Sequence, residues 1–124
     1  MANMLKFCEP TMNVVLRAEE GGETATLKAV LNRIGRKEAK ELMESNPSFD
    51  TAVADFFSRV VGYPEVPYSD GTTGNLKVTD QDTAFADLTS NLLDSQVWCR
   101  AAFEAYVRTL HGLPDLGKEA DLGN

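Results

Sequence analysis

The run Met12-Asn13-Val14-Val15-Leu16-Arg17, then Glu19-Glu20-Gly21-Gly22-Glu23, then Ala25 to Ile34, is the stretch on which the fold turns. The first run is β-prone and follows Pro10. A Gly-Gly pair between two β-prone runs signals a tight hairpin turn, because both central residues can take positive φ. The returning run fits two periods. Leu27, Ala29 and Leu31 alternate as in a strand, whereas Leu27, Val30, Leu31 and Ile34 also match the spacing of a helix face. The turn supplies a partner, and Thr24 and Thr26 suit a pleated surface, so the run is read as a strand.

Downstream the periodicity becomes helical. Arg36 to Glu44 reads as a short charged helix with Ala39, Leu42 and Met43 facing inward, stopping before Pro47. A second helix begins at Asn46 or Ser48, either a good N-cap. Its Val53, Phe56, Phe57 and Val60 make one apolar stripe, and Gly62 ends it with Pro64 beyond. Residues 62–78 are then expected to be a long connection, of the kind that often carries function or mobility. Thr79-Asp80-Gln81-Asp82 opens a third helix as a capping-box variant, with Phe85, Leu88 and Leu92 on its buried side. A fourth runs from about Ser95 to Leu110, where Cys99, Ala102, Phe103, Tyr106 and Leu110 share an apolar face bordered by Trp98. His111-Gly112 closes it. The fold expected is α+β and mainly helical, an N-terminal β-hairpin followed by about four α-helices. One globular domain covers residues 1–111, and residues 112–124 form a flexible tail.

Composition narrows the function. The chain has 124 residues, 43% hydrophobic and 25% charged, which is one ordinary globular domain. Its 12 Lys and Arg against 19 Asp and Glu leave a net charge of −7, which argues against a nucleic-acid binder, since that function clusters basic residues. The charge is uneven. Residues 46–99 hold Arg59 and Lys77 against eight acids, Asp50, Asp55, Glu65, Asp70, Asp80, Asp82, Asp87 and Asp94. A solvated acidic face with acids at helix starts accounts for this, and a docking surface for a basic partner is the alternative. The opening residues lack the pattern of a signal peptide, and no apolar run reaches the ~20 residues of a membrane span. No membrane partner is expected. Cys8 and Cys99 are expected to be reduced thiols.

No catalytic constellation emerges. His111 is the single histidine, and twelve helical positions at about 1.5 Å each would put it about 18 Å from Cys99. His111 reads instead as a helix C-terminal residue. Asp80-x-Asp82 lacks the later glycine and glutamate of a calcium loop, and Asp70-Gly71 and Gly74-Asn75 read as turn dipeptides. The expectation is no enzyme activity, no metal and no cofactor. Tyr63 and Tyr68 in the proline-containing loop, with Trp98 near the last helix start, are candidate partner-binding anchors, because rigid aromatic side chains bury large areas at low entropic cost. The alternative is that the tyrosines pin the loop onto the helices.

Two stretches carry a resemblance. Thr26-Leu27-Lys28-Ala29-Val30-Leu31-Asn32-Arg33-Ile34 precedes the charged helix Arg36-Lys37-Glu38-Ala39-Lys40-Glu41-Leu42, and Val60-Val61-Gly62-Tyr63-Pro64-Glu65-Val66 precedes Asp70-Gly71 and the helix opened at Thr79. With the final Ala101-Ala102-Phe103-Glu104-Ala105-Tyr106, this order over residues 12–110 resembles the tail assembly chaperones of long-tailed bacteriophages. Tyr63 stands where that family often has tryptophan. The resemblance implies a non-enzymatic protein of the host cytoplasm that coats the aggregation-prone helical tape measure protein and helps deliver it to tail tube subunits. It implies self-association into a ring or spiral and absence from the mature virion. It also implies a longer product made by translational frameshifting, which would contact the tail tube protein; a slippery heptamer can encode Gly-Lys, here Gly117-Lys118. The rival reading is a small phage structural or connector protein retained in the virion.

Overall fold

The structure, a computed structural model, describes residues 4–112. Gly21 and Gly22, at φ 60° and 85°, form the two-residue turn between β1 (Thr11–Glu20) and β2 (Glu23–Asn32). Their pairing runs unbroken from Thr11 opposite Asn32 to Glu20 opposite Glu23. Alternation then does the sorting: Val14, Leu16 and Ala18 on β1, with Leu27, Ala29 and Leu31 on β2, face the core. A helix at 25–34 would have left β1 without this partner.

Helix α1 (Arg36–Ser45) buries Ala39 and ends at Asn46 in the left-handed conformation. Leu42 is half-buried, but Met43 is exposed, contrary to the inward reading: α1 turns only a narrow stripe to its neighbours, and Met43 lies beyond its edge. Ser48, not Asn46, caps α2 (Phe49–Arg59), its hydroxyl accepting from the Thr51 amide at 3.2 Å. Ala52, Val53, Phe56 and Phe57 are buried as the stripe requires.

Beyond α2 the sequence reading needs its main correction. Val60 is not the last helical residue but the first of β3 (Val60–Pro67), and Thr73–Lys77 returns as β4. The expected long connection is a second hairpin. Val60 and Val61 are β-branched, and Gly62 and Pro64 cannot prolong a helix, so the backbone extends at Val60 while its side chain still reaches the core. Asp70-Gly71 is the turn at its tip, as read, whereas Gly74-Asn75 lies within β4. The register slips between Tyr63 and Val66, where Glu65 takes φ 58°. Three positions apart on a regular strand, these two residues would face opposite ways. The bulge puts both in the core.

The sheet is antiparallel with strand order β1-β2-β3-β4. Two further helices follow, α3 (Ala84–Leu93) and α4 (Gln96–Leu110). Among the described residues the architecture is α+β, with four strands and four helices; the strands carry too large a share for a mainly helical description. The core lies where α2 and α4 meet the sheet, and Tyr63, Tyr106, Phe56, Leu16 and Leu31 are its largest fully buried side chains. Ala101, Ala102 and Ala105 are small enough to seat α4 closely on β1. Asp55 ties the helices together, accepting from the Tyr106 hydroxyl at 2.8 Å and Arg59 Nε at 2.9 Å, while Arg59 also reaches Glu38 at 3.0 Å. Burial, then the bond to Asp55, pushes the Tyr106 phenol up to about 12. Burial works against the Arg59 charge, but its bonds to Asp55 and Glu38 outweigh that and raise its pKa. Asp55 is therefore a structural acid. His111 caps α4 as read, its amide donating to the Val107 carbonyl at 3.2 Å. The expected tail beyond Gly112 lies outside the described residues.

Candidate functional site

The three aromatic residues singled out in the sequence do not converge. Tyr63 is 0% exposed, its ring 5.1 Å from that of Phe85 and its hydroxyl 2.7 Å from that of Thr89. Burial raises its phenol pKa, with the Thr89 bond opposing. Its role is packing, so it offers no exposed anchor. Tyr68 is 42% exposed and lies across Gly74, where a Cβ atom would approach the ring to 2.7 Å. It belongs to the tip of the second hairpin, where Asp70 accepts from the hydroxyl and the amide of Thr72, contacts that hold its carboxyl below the usual range. Trp98 is half-buried beside Ala18 and Ala25, at the opposite end of the molecule's first hairpin from Met12.

Apart from Met4, Leu5 and Phe7 ahead of the sheet, which are 54%, 75% and 73% exposed, an exposed apolar group lies around α3. This helix fully buries Leu92 alone. Leu93, its neighbour, cannot share that face and is 45% exposed, and Val78 after β4 is 51% exposed. Together with Phe85, Ala86 and Thr89 they line an open cleft of about 440 Å³. Tyr63 supports its floor through Phe85 and Thr89. Its rim is acidic. Asp80 accepts from the Lys77 amide at 2.9 Å and Asp82 from the Ala84 amide at 3.1 Å. These two residues brace the turn that enters α3, which starts at Ala84 rather than near Thr79 as the sequence suggested. Among the described residues, no ion pair takes up Asp80, Asp82, Asp87 or Asp94. Glu65, by contrast, pairs with Lys28 at 2.6 Å.

A second surface runs along the outer side of β1, which has a strand neighbour on one side only. There Val15, Ala18, Val97 and Ala101 floor a cleft of about 600 Å³, with Arg100, Glu104 and Arg108 of α4 standing along it. The sequence reading passed over both surfaces. Leu92-Leu93 was a usable signal, since two adjacent leucines on one helix cannot both turn inward; the free edge needed the strand order.

Among the described residues, no group of His, Cys, Asp and Glu is arranged to hold a metal ion, and no helix is long and apolar enough to cross a membrane. Both cysteines are free; the Cys99 thiol contacts the Leu93 carbonyl at 3.2 Å, and burial, then the nearby Asp50 and Asp94, raises its pKa. Comparisons with protein-family models, with curated proteins and with solved structures return no match.

Proposed function

We propose that this chain is a non-enzymatic tail assembly chaperone of a long-tailed bacteriophage, acting in the host cytoplasm to keep the tape measure protein soluble until tail tube subunits receive it. The sequence order over residues 12–110 motivates the reading. The observation that carries it is the α3 surface, where Val78 and Leu93 are exposed beside Phe85 within an acidic rim. An open apolar shelf of this kind suits one face of an amphipathic helix, which docks through apolar residues at helical spacing. The proposal includes self-association, absence from the virion and a frameshifted form that reaches the tail tube protein.

Co-expression with the tape measure protein tests this. The soluble fraction of the partner should rise and the two should co-purify, and Val78→Ser with Leu93→Ser should abolish both effects without lowering the melting temperature. Unchanged solubility and no co-purification would sink the chaperone reading. Detection of the chain in purified particles by mass spectrometry would favour a retained structural or connector protein.

A further inference from the structure

We infer that the α3 cleft takes a basic amphipathic helix, its apolar stripe seated on Phe85, Ala86 and Leu93 and its flanking Lys or Arg side chains facing the acids around the cleft. This rests on the reading of that cleft as the partner surface and specifies the chemistry of what docks there.

Backbone accounting selects a helix. Phe85, Ala86, Thr89, Ser90 and Leu93, most of the cleft lining, belong to α3, and a helix presents side chains rather than a row of unpaired strand backbone. Val78 already donates its amide to the Val61 carbonyl at 2.9 Å. An extended peptide laid along α3 would therefore hold its own N–H and C=O groups against apolar surface without partners, which is costly. A helix satisfies its backbone internally and meets the cleft through side chains alone. From Phe85 to Leu93 α3 runs about 12 Å, close to the length from i to i+7 on a partner helix. Ala86 and Ser90, one turn apart, are small enough to let the two axes approach.

Charge then selects the flanks. Asp80 and Asp82 are the charged residues that line the cleft, and the backbone amides they accept from carry no formal charge. Asp87 and Asp94 extend the acidic border: they stand three and four positions from Ser90, and all three are exposed along one side of α3. From Val78 to Asp94 the chain holds these four acids and no Lys, Arg or His. Lys77, the nearest base in sequence, alternates with Leu76, which packs on the core, so it turns to the other face of the sheet. Acids beside an apolar floor attract Lys and Arg and repel Asp and Glu. A second copy of this chain is disfavoured as the occupant, because its net charge of −7 opposes approach.

The test uses the full chain and three fluorescent helical peptides of about 18 residues, roughly five turns, that share one leucine stripe and carry lysine, glutamine or glutamate beside it. Anisotropy should show the lysine peptide binding about tenfold or more tighter than the glutamate peptide, with glutamine between them and the spread narrowing in high salt. Asp80→Asn with Asp82→Asn keeps an acceptor oxygen for each bracing amide, so the melting temperature should hold while the lysine peptide weakens by about fivefold or more. Glu41→Gln with Glu44→Gln removes the same charge from exposed positions on α1, which does not line the cleft, and should change binding by less than about twofold. If the asparagine pair lowers the melting temperature, the order of the three peptides decides. Equal binding of the lysine and glutamate peptides overturns the inference while leaving the cleft as an apolar docking surface. Equal weakening by the two charge-removing pairs, or no binding of the lysine peptide up to about 1 mM, overturns it as well. Self-association that excludes the lysine peptide overturns it by making the occupant a second copy. A lysine peptide held at the cleft by a chain that leaves the tape measure protein insoluble upholds the inference and removes the chaperone reading.

Discussion

The α2–α4 side and the α3–β4 side of this molecule are built to different standards. On the first, Ala52, Val53, Phe56, Phe57, Ala101, Ala102, Ala105 and Tyr106 are all buried, and Asp55 fastens two helices through Tyr106 and Arg59. On the second, α3 fully buries one residue and leaves Val78 and Leu93 in the open. Apolar area removed from water contributes about 25 cal/mol per Å², so the first side holds most of the fold's stability and the second keeps apolar area in reserve. The two halves teach that the proposed binding surface lies where the packing is thinnest.

Four substitutions press on that contrast. Phe56→Ala should cost about 3–5 kcal/mol, because a fully buried ring leaves a cavity, and denaturant melts measure it. Leu88→Ala on the half-buried face of α3 should cost much less; equal losses would erase the distinction between the sides. Asp55→Asn should cost about 1–3 kcal/mol by weakening the acceptor for Tyr106 and Arg59. The same variant should lower the Tyr106 ionisation midpoint from about 12 toward 10.0 in an ultraviolet pH titration. The sign follows from linkage. The folded-state pKa is raised, so this contribution is complete below about 10 and is lost as pH rises through the folded value. Tyr63→Phe removes the hydroxyl contact with Thr89 while keeping the ring on Phe85, and should cost about 0.5–1.5 kcal/mol. If it also weakens partner binding at the α3 cleft without a larger loss of stability, Tyr63 positions that floor.

How legible each region was follows the same division. The first hairpin could be read because its alternation is unbroken and its turn is two glycines. Helices α2 and α4 announced themselves through Val53-Phe56-Phe57 and Ala102-Phe103-Tyr106. The second hairpin was hidden because Gly62, Pro64, Pro67 and Gly74 are loop residues by composition, and because the bulge at Glu65 breaks the alternation that marks a strand. With that hairpin unread, Tyr63 belongs to a loop that its ring could pin onto the helices, and only the strand assigns it to the core. The α3 cleft and the β1 edge are products of tertiary arrangement: one depends on which leucine of a pair faces the sheet, the other on which strand comes last in the order.

The close seating of α4 on β1 has a consequence for synthesis. β2 is complete at Asn32, yet the helix that covers β1 begins at Gln96. At ribosomal speeds of about 5–20 residues per second, the nascent hairpin spends roughly 3–13 s with Val14, Leu16 and Ala18 still waiting for their lid. Its glycine turn lets it zip early, so the first strand pair to form is also the last to be sheltered. Ribosome-associated factors therefore meet a bare apolar ribbon before they meet anything resembling the finished fold.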